Sequence, residues 1–447
     1  MILFHDMKKK EFKKKRKILI IGNGFDIAHG LPTRYTDFMI FVNTYRDIYE
    51  KSTQELMLYE RITTLWMTTE NSHFKESIQM IRDLIISDYQ KRKVINEVVT
   101  IKSENDELFQ AAKDNIWLNY FSRLLESEAG RTDFFEKLFL KNKKKRTGRW
   151  IDFEAEMSLI IQLLETENKP TVVSFEKVQL NLPKNTSEEL AEKINCFNKV
   201  IDVANEKELI NKLKNDLENM RNLLSFYLRE FVEKSTPKKL SIIERINPDH
   251  VISFNYTDTC ERIYNFQNVH YIHGECKKNN IVLGIDECLK GEEKDTKTDC
   301  LDFKKFFQRV HFETDTTYRK IISEMRKRRK PIRVPLKFRK QLEFELYLAG
   351  KEPRLLDFFE EEELSETLEI PEPLITEIFV FGHSLDKTDK EILRAFFYPI
   401  YTKVLTYAHE EKKRVELERN MVTLIGQEQF KKKAGLMPSF LQFELQN

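Results

Sequence analysis

Apolar residues follow two rhythms along this chain. Short, nearly unbroken runs at Lys17 to Gly22, Val251 to Phe254, Val269 to Ile272, Ile281 to Gly284, Glu377 to Phe381 and Lys403 to Tyr407 end in polar or glycine-containing turns. Such runs are the pattern of strands buried on both faces, as in parallel sheets. Between them lie long stretches with an apolar residue every three or four positions, the pattern of amphipathic helices. Asn105 to Leu125 places Leu108, Phe109, Ala112, Ile116, Tyr120 and Leu124 on one face, and Ala204 to Phe231 does the same with Leu209, Ile210, Leu213, Leu217, Met220 and Leu224.

The order strand, polar turn, helix predicts an α/β fold: a parallel sheet with helices on its faces and ligands at the carboxyl ends of the strands. The helical blocks read as insertions into a discontinuous core. The expected segments are a basic leader (1–16), a first core part (17–50), a helical insertion (51–246), a second core part (247–299), a charged helical insertion (300–373, closed by Pro371 and Pro373), and a third core part with C-terminal helices (374–447).

At 447 residues the chain exceeds a single typical core, so two or three domains are expected. Its charged fraction of 33% implies much exposed helical surface, but a net charge of +2 points to no partner of one sign. Basic clusters lie at Lys8 to Lys17, Lys141 to Arg149 and Arg326 to Lys340, and an acidic one at Asp357 to Glu369. They read first as solvated tails and helix faces. Aromatic residues are not interleaved for base stacking, so nucleic acid is the less favoured partner. Cysteines 196, 260, 276, 288 and 300 are odd in number and form no CxxC pair, which fits a reducing cytosol and offers no structural zinc site. No segment approaches the roughly 20 apolar residues of a membrane span, and no signal peptide is apparent. The expectation is a cytoplasmic protein without membrane contact.

Candidate chemistry gathers at the strand ends. In Gly22-Asn23-Gly24-Phe25-Asp26 two glycines allow a tight turn and close approach of a ligand, and a following helix would offer amides to a phosphate. Ile27 stands where the dinucleotide fingerprint has a third glycine or alanine. Asn255 presents a donor and an acceptor that suit a sugar hydroxyl or a water; it equally suits a turn, with Asp258 capping the next helix. His273, before Gly274, can move a proton near neutral pH, whereas His270 lies inside its strand and reads as a local packing residue. Gly382, His383, Ser384 and Asp386, in a run extending to Asp389, suit ribose hydroxyls or a base edge, while Asp386 and Asp389 also suit a helix start. A metal among His383, Asp386 and Asp389 is disfavoured, because hard metals gather more acids, and no metal is expected. Asp152 and Glu154 read either as rim groups or as first-turn acids.

Together, Gly22 to Asp26, His29 to Thr33, Tyr35 to Phe38, Trp150 to Glu154, Ser253 to Asp258, His273-Gly274 and Gly382 to Asp389 resemble the AbiH family, named for bacteriophage abortive infection in bacteria. The resemblance runs from residue 17 to about 400 and is concentrated in these islands. That pattern is in turn similar to sirtuin-like domains, which use a glycine-rich turn for the phosphates of NAD, an asparagine after a strand and a histidine before glycine. Asn23 and Phe25-Asp26 depart from the alanine and small residue of the sirtuin turn, and no paired zinc ligands of the deacetylase type occur.

The resemblance implies a discontinuous Rossmann-like parallel sheet with a sirtuin-like core, and a defence protein that hydrolyses NAD at the nicotinamide–ribose bond. NAD is then substrate, with no prosthetic group. Asn255 and His273 are the implied catalytic pair. Gly22, Asn23, Gly24, Phe25, Asp26, Gly382, His383, Ser384 and Asp386 are the implied binding residues, Asp26 or Asp386 stabilising the cationic sugar. Self-association through the helical insertion and a phage-derived trigger are the implied partners. A nucleic-acid-acting toxin and a non-catalytic nucleotide sensor are the competing readings.

Overall fold

A computed structural model describes residues 16–50, 111–127, 152–165, 171–173, 177–183, 186–326 apart from 288, 290 and 315, 332–335, 367–370, 376–399, 402–436 and 440–446. The leader up to residue 15, most of the basic clusters, the acidic cluster up to residue 366, Trp150, Ile151 and Cys288 lie outside these residues. Among the described residues, Cys196, Cys260, Cys276 and Cys300 are free and buried.

The central sheet has six strands, all parallel: β1 (Arg16–Ile21), β2 (His250–Ser253), β3 (Val269–Tyr271), β4 (Thr376–Phe381), β5 (Thr402–Ala408) and β6 (Leu441–Leu445). Their order across the sheet is β3-β2-β1-β4-β5-β6. Strand order therefore reverses at β1, between β2 and β4, and the crevice at such a reversal is where open parallel sheets bind ligands. The unbroken apolar run of β1 follows from burial on both faces. Ile18 and Ile20 pack with Ile252, Ile378, Val380 and Phe396, whereas Leu19 and Ile21 pack with Val251, Phe25 and Phe381. Register aligns the strand ends, because Ile21 sits opposite both Ser253 and Phe381, and Ser253 opposite Tyr271.

The helices follow in chain order: α1 (Asn23–Ala28), α2 (Tyr35–Glu50), α3 (Ile116–Ser127), α4 (Phe153–Glu165), α5 (Glu188–Asn198), α6 (Glu206–Tyr227), α7 (Thr259–Tyr264), α8 (Lys305–His311), α9 (Lys390–Phe397) and α10 (Glu411–Ile425). Helices α2 to α6 share one core, with Phe41, Trp117, Phe153, Phe197, Leu213 and Tyr227 at its centre. Helices α9 and α10 cover the face of the sheet that carries Ile18 and Ile20, through Phe396, Phe397, Leu417 and Met421.

Three expectations are corrected. The helix read over Asn105 to Leu125 is interrupted before α3. Asn115 accepts from the Leu118 amide at 3.0 Å, donates to the Asp216 carbonyl at 2.7 Å, and so starts a new helix. Ile281 to Gly284 forms no strand. Gln308 instead accepts from Leu283 N at 2.9 Å and donates to Leu283 O at 2.9 Å, while Val282 N donates to His273 O at 2.8 Å. The third core part does not close with helices after Lys403 to Tyr407: β6 follows them as a further strand.

Candidate active site

The turn after β1 and the turn after β4 touch backbone to backbone. Gly22 N donates to Phe381 O at 3.3 Å, Gly24 N to Gly382 O at 2.8 Å, and Phe25 N to Gly22 O at 2.8 Å. A Cβ on Gly22 would stand 2.8 Å from His383 Cα, and one on Gly24 would stand 2.8 Å from Gly382 O. The glycines thus serve the closeness of two turns at the sheet's reversal point, and the amides of Gly22 and Gly24 are already engaged. Asn23 is exposed and bonded to Thr33 through both ends of its side chain. Phe25 is buried against the rings of His29, Tyr264 and Phe381.

This closeness delivers His383 to the carboxyl rim of the sheet, where His273 arrives from the end of β3. Between them stands Asp389, immediately before α9. His273 Nε2 lies 3.0 Å from Asp389 Oδ1, and His383 Nε2 lies 3.7 Å from Asp389 Oδ2. Both rings pack edge-on against Phe254. His383 Nδ1 accepts from Leu385 N at 2.9 Å, which places its proton on Nε2 toward Asp389. The same logic puts the His273 proton on Nε2 and leaves Nδ1 as its accepting atom. Burial holds both imidazoles below the ordinary histidine value, His383 at about 4. Asp389, although buried, is held well below the ordinary carboxylate range by Lys305, His273 and His383. The result is a neutral histidine oriented by an ionised carboxylate, the arrangement of a general base.

Lys305 supplies the cation. It is 1% exposed, with Nζ 2.7 Å from Glu154 Oε2 and 3.6 Å from Asp389 Oδ1. It enters from α8, whose polar residues Lys305, Gln308 and Arg309 face inward while Phe306, Phe307 and Val310 are exposed. Burial raises the Glu154 carboxyl to about 7 against the pull of Lys305, and Asp286, also beside Lys305, to about 6. Tyr256 closes the cluster, donating to Val282 O at 3.2 Å. Among the described residues no group of three or more His, Cys, Asp or Glu is arranged to hold a metal ion.

A second polar group adjoins this one along the loop after β2. Asp26 is 1% exposed and accepts from Thr257 Oγ1 at 2.6 Å; Thr257 is linked to Thr259 at 2.9 Å. The Asn255 side chain is buried beside Asp26 and favours its charged form, but completes no well-formed hydrogen bond of its own. Asn255, His273, His383 and the glycine turns therefore share one rim, as the strand ends led us to expect. Asp386 and Ser384 are exposed. Asp386 accepts from Thr388 N at 3.0 Å as a local cap, and Ser384 O accepts from Asn420 at 2.9 Å. Asp152 caps α4 through Glu154 N and Ala155 N, at 3.0 and 3.1 Å. His270 pairs with His250 at 3.4 Å on the neighbouring strand.

Desolvation raises the Asp26 carboxyl to about 7, with no lysine or arginine bonded to it. In the folded chain it holds a proton at pH values where the unfolded chain has lost it. Its stabilising contribution is complete below about pH 4 and is lost as pH rises through about 7. Asp26→Asn should therefore gain stability relative to the parent, by on the order of a few kcal/mol, between pH 5 and 8. Parallel urea titrations at the two pH values check this; an unchanged difference between the two proteins contradicts it.

The islands that build this rim all lie within one family match. The description Bacteriophage abortive infection AbiH fits residues 18–409. The chain belongs to the AbiH family. That match reaches every strand of the central sheet but β6, beginning inside β1, and includes all residues of the site. No curated protein and no solved structure matches the chain. Membership in AbiH carries a role in bacteriophage abortive infection. No described helix of this AbiH protein is long and apolar enough to cross a membrane.

Three site residues of this AbiH chain were not assigned to the site from the sequence. Asp389 was read as the end of the Gly382–Asp389 run, as a disfavoured metal ligand and as a helix-start acid, but not as the partner of a histidine; Glu154 was read as a rim or first-turn acid, and Lys305 carried no signal beyond membership in a charged, helical stretch.

Proposed function

We propose that this protein acts in abortive infection by hydrolysing NAD at the nicotinamide–ribose bond, with His273 as general base. The observation that carries the proposal is the neutral His273 imidazole held on ionised Asp389 through Nε2, 3.0 Å away, with Nδ1 left to accept a proton. Two further features support it. The parallel sheet reverses its strand order at β1, the kind of crevice where open parallel sheets bind ligands, and Asp389 and His383 come from the segment after β4, the strand next to that reversal. The Asp389 carboxylate, held ionised beside Lys305, would stabilise a cationic sugar on this rim.

In this reaction the ribose–nitrogen bond breaks, and nicotinamide leaves with its electron pair. Positive charge develops on the ribose. Water forms a new bond to the same carbon, and its proton passes to His273 Nδ1, directly or through a ribose hydroxyl. The products are nicotinamide, ADP-ribose and a proton. Asn255 orients the ribose or the water through its amide. His383, Ser384 and Asp386, with Asn23, Phe25 and the glycines 22, 24 and 382, form the proposed nucleotide cradle. Because the amides of Gly22 and Gly24 are engaged with the β4 turn, they meet a pyrophosphate only if the two turns part.

The base must be neutral, and burial lowers the His273 pKa below its ordinary value of 6.5. The acid limb of the activity profile should therefore fall below pH 6.5. Turnover in water enriched in oxygen-18 should place the label on the anomeric carbon of ADP-ribose. Released nicotinamide without that label would reject water as the acceptor.

A further inference from the structure

Asp389 Oδ1 has two partners. It accepts from His273 Nε2 at 3.0 Å, and the Lys305 ammonium lies 3.6 Å away. The same ammonium reaches Glu154 Oε2 at 2.7 Å. Lys305 is thus a clamp between α4 of the helical block and the turn before α9 on the sheet. Such a residue is expensive to bury, since a lysine at 1% exposure has given up nearly all of its water. If the dyad needed only a carboxylate, an apolar side chain from α8 would fill this place more cheaply. The inverted polarity of α8, with Phe306 and Val310 outside and Lys305 inside, shows that the fold sacrifices apolar burial to bring this cation in.

We infer that Lys305 is a positioning residue of the dyad: its ammonium, anchored on Glu154, fixes the Asp389 carboxylate against His273 Nε2 and sets the charge that the imidazole meets. The groups facing His273 are Asp389, Lys305, Arg309, His383 and Tyr256, and those facing the ammonium include Glu154, Asp389, Tyr256, Asp286 and Asp152. Lys305 and Arg309 oppose protonation of His273, whereas Asp389 favours it. Removal of the ammonium leaves Asp389 unopposed on one side, so the imidazole takes up a proton more readily. The consequence for turnover rests on the proposed reaction; the consequence for His273 does not.

The test follows the imidazole itself. Protein labelled at its histidine ring carbons and nitrogens is titrated by NMR, with the His273 signal assigned by its loss in His273→Gln. Lys305→Met keeps the length of the stem and removes the charge. Because that variant strands Glu154, the double variant Lys305→Met with Glu154→Gln is measured beside it and retains a matched, packed interior. The assignment predicts that in the double variant the His273 midpoint moves upward by about one pH unit, a tenfold gain in proton affinity, with tautomer order at Nε2 lost. An unmoved midpoint and an unchanged tautomer in the folded double variant overturn it. If the midpoint moves but the parent protein leaves NAD intact, the proposed reaction fails and the positioning role stands. If the parent consumes NAD while the midpoint stays fixed, the opposite holds.

Discussion

His273→Ala is expected to lower NAD turnover by roughly a hundred- to ten-thousand-fold, the usual contribution of a positioned general base. The chain should remain folded. His273 Nε2 bonds only to Asp389 among the described residues, its carbonyl bond to Val282 N at 2.8 Å belongs to the backbone, and the ring edge on Phe254 is a modest contact. The variant does leave Asp389 without its donor, but Lys305 and His383 still face that carboxylate. A variant with unchanged melting temperature and lost activity would therefore locate the loss in chemistry. Parent-like turnover would remove His273 from the mechanism. His270→Ala is the matched control, since His270 bonds to His250 on the neighbouring strand and should leave turnover unaltered.

The second large effect is structural. Gly382→Ala should destabilise the chain by roughly 3–5 kcal/mol, a large part of the stability of a typical domain. Two terms add. Gly382 has φ +69, where a side chain is strained, and a Cβ there would stand 2.0 Å from Phe25 N and 2.4 Å from Gly24 C. Backbone cannot rotate away as a flexible side chain can, so the two turns must separate. Gly30→Ala isolates the first term: Gly30 has φ +83, yet nothing lies within 4 Å of its Cβ position. It should cost only about 1–2 kcal/mol. Urea midpoints of the two variants decide the matter, and equal losses would mean that the contact between the turns carries no stability. The same separation should displace His383 from Asp389, so Gly382→Ala should also impair turnover by whatever fraction survives unfolding.

The strands were readable because burial on both faces removes the polar alternation. Ile18 to Ile21 and Ile378 to Phe381 are apolar for that reason, and the glycines that follow had to be there for the turns to meet. β6 was not readable: only Leu441 is buried in it, and an edge strand with one covered position leaves no run to recognise. Ile281 to Gly284 looked like a strand for the opposite reason, an apolar run whose backbone is satisfied by the Gln308 and Tyr256 side chains and the His273 carbonyl rather than by a neighbouring strand. At the site, Asn255, His273 and His383 stood out because a polar residue directly after a buried strand is placed at the rim by the strand itself. Lys305 and Glu154 did not, because hydrophobic periodicity assumes that charges point outward. α8 breaks that assumption, with its lysine in the interior and two phenylalanines in water. Asp389 was hidden by a competing role, since an acid at a helix start needs no partner to explain it.

The central claim is that an oriented, neutral histidine at the reversal point of this sheet cleaves NAD. The most direct test is incubation of the purified chain and of His273→Ala with NAD, followed by mass spectrometry of the small molecules. The account predicts nicotinamide and ADP-ribose in equal amounts from the parent and intact NAD from the variant. Equal product from both proteins, or a parent that leaves NAD intact alone and when phage-infected cell extract is added, would contradict it.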